Sequence, residues 1–439
     1  MVNPARILVF GLGAAVAAGT LLLKLPQAAA PGAAVTWLDA FFTAMSAVCV
    51  TGLTVLDTGR AWSPFGQVVI LALMQIGGLG IMTVSALVAL VLGRRITLRD
   101  RLVMRQALQE SDLAGLVRLL RYVAAAVLAI EAVGALLLSA RFLAAMPWPR
   151  ALWFGVFHAV SSFNNAGFDL FGTSLRAFAE DGFVLTVVGA LAVLGGLGFH
   201  VLVEFWRRWG RRTRAPLSLH TRVVLAATAL TTAAGAAGIL ALEWNNPSTL
   251  GALPPAARVG NALFAAAAGR TSGFSTVDTA MLSVPTLVLL VALMFVGGAP
   301  GSTAGGVKVT TVAAVWATVA ATARGSGDPV LFRRRLDRDL TDRALALFVI
   351  ALVVMLAAVM ALLLLEGGGF LPALFQVTSA LGTVGLTMSG PAGLGAPGRL
   401  LLALAMFAGR VGPLTLVFAL ASRRRRQLYR YPEERLPIG

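Results

Sequence analysis

Four short glycine-centred segments are the part of this sequence best suited to chemistry, and that chemistry is the coordination of an ion. Aligned on Gly52, Gly167, Gly273 and Gly385, they read "AMSAVCVTGLT", "AVSSFNNAGFD", "AAAAGRTSGFS" and "VTSALGTVGLT". Glycine lets the chain turn without a Cβ atom, which leaves carbonyl oxygens pointing inward. Inward carbonyl oxygens from several such loops replace the hydration shell of a cation without any charged ligand.

A short apolar segment precedes each glycine and could place that glycine inside a membrane. The glycines are 115, 106 and 112 residues apart. Each follows a weakly apolar stretch of about 12 residues, which as a helix is about 18 Å long and reaches halfway through a bilayer. Non-helical backbone at that depth is tolerated only inside protein or beside an aqueous cavity. The pattern therefore predicts four re-entrant loops; four ordinary helix-packing glycines, the alternative, would not be spaced so evenly.

The whole chain has the composition of an integral membrane protein. Of its 439 residues, 58% are hydrophobic and 13% are charged, whereas soluble domains carry about a quarter charged residues. Long apolar stretches, each of a length to span a bilayer, precede the glycines at 7–23, 122–140, 223–242 and 344–365 and follow them at 61–93, 182–203, 283–323 and 400–421. The single cysteine, Cys49, excludes a disulfide framework and cysteine-based metal sites.

This order predicts an all-α integral membrane fold of four parallel M1–P–M2 repeats, each a helix, a re-entrant pore loop and a helix, around a pseudo-fourfold central pore. Eight full transmembrane spans follow from it. The repeats are parallel because all four enter and leave on the same sides, unlike the opposed halves of inverted-repeat transporters. We expect the repeats at residues 1–93, 94–206, 207–323 and 324–421, with a basic cytoplasmic tail at 422–439.

The positive charge is distributed so that it orients the chain in the membrane. The net charge is +17, and 25 of the 36 Lys and Arg residues lie in four blocks, at 94–121, 207–222, 324–343 and 423–435. Each block follows an even-numbered apolar stretch, which is the positive-inside pattern. We therefore expect the blocks and both termini in the cytoplasm, in contact with anionic lipid headgroups or an acidic partner rather than nucleic acid. A secretory signal peptide is the alternative for the N-terminal residues, and the repeat pattern disfavours it.

A second candidate for chemistry lies within residues 283–323, an apolar stretch of 41 residues that is charged only at Lys308. The stretch is too long for one span. Its segment "GGAPGSTAGGVK" (297–308), called here the glycine-rich loop, holds too many glycines and prolines for a regular helix. We expect a helix break and a mobile loop below the four glycines; the alternative is a kinked helix with no moving part. Lys308 either reaches the loop or marks the cytoplasmic boundary.

Arg410 is a lone arginine in the last apolar stretch. An arginine inside a membrane is costly, so a functional role is the default hypothesis. On a helical row that faces the cavity, it would lie just below the glycines, repel cations and hold the glycine-rich loop through carbonyl oxygens. The alternative is a structural ion pair, for which Glu131 is the only obvious buried acid.

Few side chains of this sequence suit catalysis. Intramembrane hydrolases and transferases need paired acids, a Ser–His or Ser–Lys pair, or a metal cluster. His158 lies near two serines without an orienting acid nearby in sequence, and we interpret His158 and His200 as packing residues. Neither glycine-rich motif is a phosphate-binding P-loop. The sequence therefore predicts a protein that is not an enzyme and that binds no nucleotide or other cofactor itself.

At these residues the sequence resembles the ion-conducting subunit of the Trk/Ktr/HKT superfamily of potassium transporters, over essentially its whole length. The resemblance rests on the four glycine segments, the glycine-rich loop, "FAGRVGPLTL" (407–416), and "GGLGI" (77–81) and "GGLGF" (195–199) at equivalent places. Eight spans without an additional N-terminal pair resemble the Ktr-type B subunit more than the longer Trk-type protein. Ala299 stands where the family commonly has Ser or Cys, a conservative difference.

The resemblance implies potassium uptake across a bacterial inner membrane through one pore per subunit, with K⁺ at the filter as the only metal ion. The implied selectivity filter consists of Val50, Thr51, Gly52, Asn165, Ala166, Gly167, Thr271, Ser272, Gly273, Thr383, Val384 and Gly385. The implied gate consists of Gly297, Gly298, Pro300, Gly301, Ser302, Thr303, Gly305, Gly306, Lys308 and Arg410. Glycine at the first filter position implies a preference for potassium, because HKT relatives with Ser there favour sodium.

The resemblance also implies partners. A homodimer would assemble on a cytoplasmic ring of nucleotide-binding regulatory subunits of the RCK type, similar to Ktr A or Trk A, and ATP or ADP would bind only there. The basic blocks are the candidate docking face; topology signalling and contact with membrane lipids are the alternative. Family members often carry Arg at the place of Arg270, which implies a brace behind the third segment. A sodium- or proton-coupled secondary solute carrier is the alternative function.

Overall fold

The structure, a computed structural model, describes residues 4–80, 116–211 and 216–412, and it is mostly α-helical. Its helices are α1 (Pro4–Leu23), α2 (Trp37–Cys49), α3 (Thr58–Ala61), α4 (Pro64–Leu79), α5 (Leu116–Phe142), α6 (Trp148–Phe163), α7 (Gly182–Gly196), α8 (Phe199–Arg211), α9 (Leu219–Glu243), α10 (Pro255–Thr271), α11 (Val284–Phe295), α12 (Val309–Ala323), α13 (Arg338–Glu366), α14 (Phe370–Gly382) and α15 (Ala396–Val411). Strands β1 (Val330–Leu331) and β2 (Arg334–Arg335) form an antiparallel hairpin between α12 and α13. The basic residues at 94–115 and 423–435, the tail at 422–439 and the parts of the second apolar stretches beyond residues 80 and 412 lie outside the described residues.

The helices recur four times in the same order, and we call each set a unit. The long first helices are α1, α5, α9 and α13; the short helices that end at the glycine segments are α2, α6, α10 and α14; the second helices are α4, α7, α11 and α15. Each second helix packs on the short helix of the following unit: α4 on α6, α7 on α10, α11 on α14, and α15 back on α2. The last of these contacts closes the order into a ring.

Local sequence signals begin and end the short helices. Helix α2 starts at a capping box, in which the Asp39 carboxylate accepts the Thr36 backbone N–H at 3.0 Å and Thr36 Oγ1 accepts the Asp39 N–H. Prolines occupy the first turn of α6 and α10. At their other ends, α2 and α14 stop at Val50 and Thr383, which both adopt the left-handed conformation. Such residues turn the chain sharply toward the glycine that follows.

The short helices lie in the hydrophobic core. The large buried side chains at the matching position of the four helices are Phe42, Phe157, Phe264 and Phe375. Counting back from the glycines would place Leu263 in the third unit, but Leu263 is 48% exposed. In that unit the Gly273 N–H itself bonds to the helical carbonyl of Ala268, five residues back, whereas in the other units the residue before the glycine makes this bond. The third short helix therefore runs one residue closer to its glycine than the others.

All four second helices end at a glycine-rich break, whereas the sequence predicted a break in the third unit alone. The glycines that follow α4, α7 and α15 have positive φ angles: 80° at Gly80, 86° at Gly198 and 87° at Gly412. Residues 182–203 read as one span in sequence, but the structure divides them into α7 and α8, which meet at 98°. The glycine-rich loop fills this break, since the Phe199 N–H donates to Gly301 O and the Ala299 N–H donates to Gly196 O, both at 2.9 Å. Backbone groups released by the break are thus hydrogen-bonded.

Three segments of the described helices are long and apolar enough to cross a membrane: Val123–Phe142, Leu219–Glu243 and Arg338–Glu366. The number is four if the bent pair of α7 and α8 is counted as one span. Other apolar helices are 10–17 residues long, and they include the short helices α2 and α14. Eight full spans stay a prediction of the sequence.

Candidate functional site

The four glycines form one closed ring. Their φ angles are 83°, 68°, 68° and 100° in chain order, a conformation that favours glycine. A Cβ atom on any of them would contact the carbonyl oxygen of the residue before the next glycine. Those carbonyls belong, in order, to Ala166, Ser272, Val384 and Thr51. The contact between Gly385 and Thr51 returns to the first segment, so no position in the ring has room for a side chain.

Solvent reaches the ring at its glycines. All four are half-buried, while the two residues before each of them are buried. These eight residues are Val50, Thr51, Asn165, Ala166, Thr271, Ser272, Thr383 and Val384. The short helices end beside the ring, where their C-termini contribute partial negative charge. In the described part of the chain, no group of three or more His, Cys, Asp or Glu side chains could hold a metal ion. The ring thus presents carbonyl oxygens and helix C-termini, which are groups able to coordinate a cation.

The third segment differs from the other three. Val50, Asn165 and Thr383 adopt φ angles of 56°, 56° and 51°, whereas Thr271 is the last residue of α10 and Ser272 has a φ of −116°. Thr271 Oγ1 instead donates to Asn165 Oδ1 at 2.8 Å. The sequence treated the four tripeptides as equivalent. In the structure the first, second and fourth tripeptides share one backbone conformation and the third has another, because α10 extends one residue further toward its glycine.

The glycine-rich loop connects α11 to α12 and lies directly against the ring. The Gly305 N–H donates to Thr383 Oγ1 at 3.1 Å. Thr303 Oγ1 lies 3.1 Å from Phe163 O, to which it donates, and accepts from Asn165 Nδ2 at 2.8 Å. The loop is therefore hydrogen-bonded to the second and fourth glycine segments at once.

The loop is a compact turn of backbone and not a kinked helix, the alternative that the sequence left open. Helix α11 ends at Phe295 and α12 begins at Val309. Between them the Gly297 N–H donates to Val307 O at 2.8 Å, and a Cβ on Gly297 would overlap Gly305 O. The predicted gate residues in this turn are Gly297, Gly298, Pro300, Gly301, Ser302, Thr303, Gly305 and Gly306. Small residues are required there because backbone crosses backbone.

Two cationic side chains bind consecutive carbonyl groups of the loop. The guanidinium of Arg410, on α15, donates to Thr303 O and to Gly77 O at the end of α4. Lys308 Nζ turns back and donates to Ala304 O at 2.7 Å. Arg410 therefore joins the fourth unit, the first unit and the loop through neutral oxygens.

Glu131 is not the partner of Arg410. Its carboxylate accepts from Gln75 Nε2 at 3.2 Å and from Asn164 Nδ2 at 2.9 Å. Gln75 was not among the residues predicted from the sequence. An amide deep in an apolar helix, two residues before the "GGLG" break, is the signal that would have found it.

Two further polar residues lie in the core near the ring. Arg270 is 2% exposed, its Nη1 donates to Thr231 Oγ1 at 3.2 Å, and its Nε has no hydrogen-bond partner among the described residues. His158 Nε2 accepts the Leu170 N–H at 3.3 Å, so its Nδ1, 2.7 Å from Phe154 O, carries the proton and donates. The neutral ring of His158 thus holds the chain that follows the second segment and is not placed as a metal ligand.

The chain is similar over its full length to known transport proteins. A family model described as TrkH, cation transport protein, matches residues 13–425. The Ktr system potassium uptake protein B of Bacillus subtilis (strain 168) is 37% identical over 437 residues, which cover 100% of this chain and 97% of that protein. The potassium/sodium uptake protein NtpJ of Enterococcus hirae is 37% identical over 444 residues, with 100% and 97% covered. The potassium transporter TrkH from Vibrio parahaemolyticus, a crystal structure, shares the fold with a TM-score of 0.73 and 21% identity, over 95% of this chain and 85% of that one.

Proposed function

The chain belongs to the TrkH family of cation transport proteins, and we propose that it takes up potassium through the ring of four glycines. Because the family and the relatives are transport proteins, this chain is a transporter and not an enzyme. The closed ring carries the proposal: four positive-φ glycines abut the carbonyls of their neighbours with no space for a side chain. Such a ring can exchange carbonyl oxygens for the hydration shell of K⁺.

The proposed selectivity filter consists of the three residues that end at each glycine, as the sequence predicted. Glycine at all four ring positions favours potassium over sodium. The names of two relatives support this preference in part. The Bacillus subtilis relative is a potassium uptake protein, and the Enterococcus hirae relative is a potassium/sodium uptake protein. We expect weaker discrimination than four identical loops would give, because the third segment has its own backbone geometry.

The proposed architecture has four parallel repeats, at 1–93, 94–206, 207–323 and 324–421, with eight spans in a bacterial inner membrane and both termini in the cytoplasm. The recurring helix order and the contact of α15 with α2 support the repeats. Each second helix would continue beyond its glycine break to complete a span. The tail at 422–439 would then lie with the basic blocks on the cytoplasmic side.

The glycine-rich loop, with Lys308 and Arg410, is the proposed gate. Its hydrogen bonds to two glycine segments support a position in the conduction path, and its small residues support movement. The Arg410 guanidinium would repel cations and hold the loop through Thr303 O. Release of that bond would open the path.

The proposed partners are a second copy of the chain and a cytoplasmic ring of nucleotide-binding subunits, on which ATP or ADP acts. The name of the first relative, a "system" protein B, supports a separate regulatory subunit. The basic blocks are the proposed docking face. Transported K⁺ is cargo, and the chain itself would hold no cofactor.

Rubidium flux into proteoliposomes that contain the purified chain tests the proposed function. Internal K⁺ drives the exchange, and external K⁺, Na⁺ or choline competes with the tracer. We expect K⁺ to compete several-fold better than Na⁺, with choline inert. Uptake that stops when a sodium or proton gradient is collapsed with an ionophore would instead indicate a coupled secondary carrier. Cation flux that K⁺ does not reduce would overturn the filter assignment.

A further inference from the structure

Glu131, on α5, is a buried carboxylate whose hydrogen-bond partners are neutral amides. It is 5% exposed, with Gln75 Nε2 3.2 Å from Oε2 and Asn164 Nδ2 2.9 Å from Oε1. Its helix includes one of the segments apolar enough to cross a membrane. An acid at such a position is costly and has a functional role by default.

The neighbours of Glu131 orient the two amides. Asn164 Nδ2 also donates to Val160 O at 2.9 Å, and a backbone carbonyl can only accept, so the nitrogen of Asn164 must face this side. Gln75 Oε1 lies 2.9 Å from the same nitrogen, which turns Gln75 Nε2 toward Glu131, so the two hydrogens of Asn164 Nδ2 are shared among three acceptors. Both carboxylate oxygens therefore face nitrogens that only donate, and an ionised carboxylate is the strongest of the three acceptors of Asn164. An ionised carboxylate satisfies this arrangement, whereas a protonated one would place its O–H against a donor and lose a hydrogen bond.

Glu131, Gln75 and Asn164, called here the amide cluster, lie beside both the proposed filter and the proposed gate. Asn164 immediately precedes Asn165, which belongs to the second filter segment and donates to Thr303 of the glycine-rich loop. Gln75 lies two residues before Gly77, whose carbonyl accepts from Arg410. A change in the amide cluster therefore reaches the filter through Asn164 and the gate through Gln75.

The other ionisable side chains described on helices that contact α5 have partners elsewhere. Helices α4 and α7 carry none. On α6, Arg150 lies over the Phe154 ring and His158 bonds to backbone. On α8, the ring of His200 meets that of His220, and Glu204 accepts from Ser218 and Thr221 beside Arg208. On α5 itself, Arg141 pairs with Asp181.

We infer that Glu131 is a proton-sensitive positioning residue for the second filter segment. In its ionised form it holds Asn164 and Gln75 in the observed arrangement, and protonation releases one amide and loosens the filter and the gate loop together. The inference rests on the proposed function for its transport readout. Proton binding by Glu131 is a separate claim, and it can be measured without transport.

Four proteins test the inference: the wild type, Glu131→Gln, the exchange variant Glu131→Gln/Gln75→Glu, and Glu243→Gln as a matched control. Glu243 is also fully buried, and its acceptor bonds come from neutral groups that include Thr249 and Thr286, at the far end of α9. Rubidium flux competed by K⁺ and by Na⁺ is measured over a pH series, with thermal unfolding in detergent recorded for each protein. Infrared difference spectra follow the carbonyl stretch of a protonated carboxyl group.

We expect acidification to lower the K⁺/Na⁺ selectivity of the wild type by about fivefold, the order of one hydrogen bond. Glu131→Gln should show the lowered selectivity at every pH, and the exchange variant should recover pH dependence because it restores one carboxylate. Glu243→Gln should behave as wild type. A Glu131→Gln protein that unfolds at the wild-type temperature and keeps the wild-type pH profile would overturn the inference.

The infrared measurement keeps the two proposals distinct. A protonated-carboxyl band that appears on acidification in the wild type and is missing in Glu131→Gln supports proton binding even if no K⁺-selective flux is found, a result that would contradict the proposed function alone. A wild type with selective flux but without that band would overturn the role of Glu131 and leave the potassium pathway in place.

Discussion

Arg410 and the four ring glycines contact backbone carbonyls, and these contacts determine what their substitution should do. Arg410 stood out in the sequence because a charge is rare in an apolar span, and the glycines stood out by their spacing. Gln75 did not, because amides occur in membrane helices and their importance depends on tertiary partners, and Thr303 was predicted only as one residue of the gate that the family resemblance implies. Thr303 matters since it meets Phe163 and Asn165, both more than 130 residues away in the chain.

Arg410→Ala should raise potassium-competed flux by about tenfold or more. The guanidinium makes charge-assisted hydrogen bonds to the carbonyls of Thr303, Gly77 and Gly78, each worth about 1.5–3 kcal/mol, and their loss frees the loop. The measurement is initial rubidium uptake at equal protein density. Arg258→Ala is the matched control, because Arg258 also donates to three backbone carbonyls, but at the start of α10. Equal flux in the wild type and Arg410→Ala would reduce Arg410 to a structural residue.

Gly385→Ala should lower potassium-competed flux by about tenfold or more. Its φ is 100°, which costs an alanine about 1–2 kcal/mol, and the new methyl group would displace the Thr51 carbonyl from the ring. Gly393→Ala is the control in the same unit, because a Cβ there meets nothing within 4 Å. Rubidium uptake of the two variants is compared once their thermal unfolding temperatures have been shown to be equal. Normal K⁺ selectivity in Gly385→Ala would contradict the carbonyl ring.

The units show which elements the sequence could predict. Glycine spacing located all four short helices, because helix, loop and helix recur with nearly constant length. It missed the breaks after α4, α7 and α15, since "GGLG" continues an apolar stretch and glycine is common in membrane helices. It also set the third unit one residue out of register, because counting from the glycine assumes four loops of equal length. The break after α7 is filled by backbone hydrogen bonds with Gly301 and Ala299, which sequence spacing does not reveal.

Thr303→Val should weaken the anchor of the glycine-rich loop and raise flux by about fivefold, the order of one lost hydrogen bond. Valine keeps the shape of threonine but removes the hydroxyl that bonds to Phe163 O and Asn165 Nδ2. Thr318→Val is the control, since its hydroxyl donates to Ala314 O within α12, away from the glycine segments. Uptake in Thr303→Val that matches the control would indicate that the loop is not held at this point.

The molecule as a whole depends on closing its first and last units around the ring. Three of the contacts between a second helix and the next short helix join units that are neighbours in sequence. The fourth, α15 on α2, joins the two ends of the described chain. Composition and repeat length predicted four units, but closure depends on contacts between residues more than 300 positions apart, about which local patterns carry no information.

An ion pair at this junction offers a test of closure. Arg399 Nη1, on α15, lies 3.0 Å from Asp39 Oδ1, on α2, with side chains 20% and 9% exposed. We expect a double-mutant cycle of Arg399→Gln and Asp39→Asn to give a coupling of about 1–2 kcal/mol in detergent unfolding, since the pair is partly shielded from water. The cycle subtracts the effect of Asp39→Asn on the capping box of α2.

The Arg141–Asp181 pair is the control, because it lies within one unit and Arg141 is 48% exposed. Its coupling should stay below about 1 kcal/mol. Arg399→Gln should also lower K⁺/Na⁺ selectivity, since the junction brings Gly385 against Thr51, whereas Arg141→Gln should leave selectivity unchanged. Equal couplings and unchanged selectivity in both variants would mean that the ring is held closed by apolar packing of α15 on α2 and not by this ion pair.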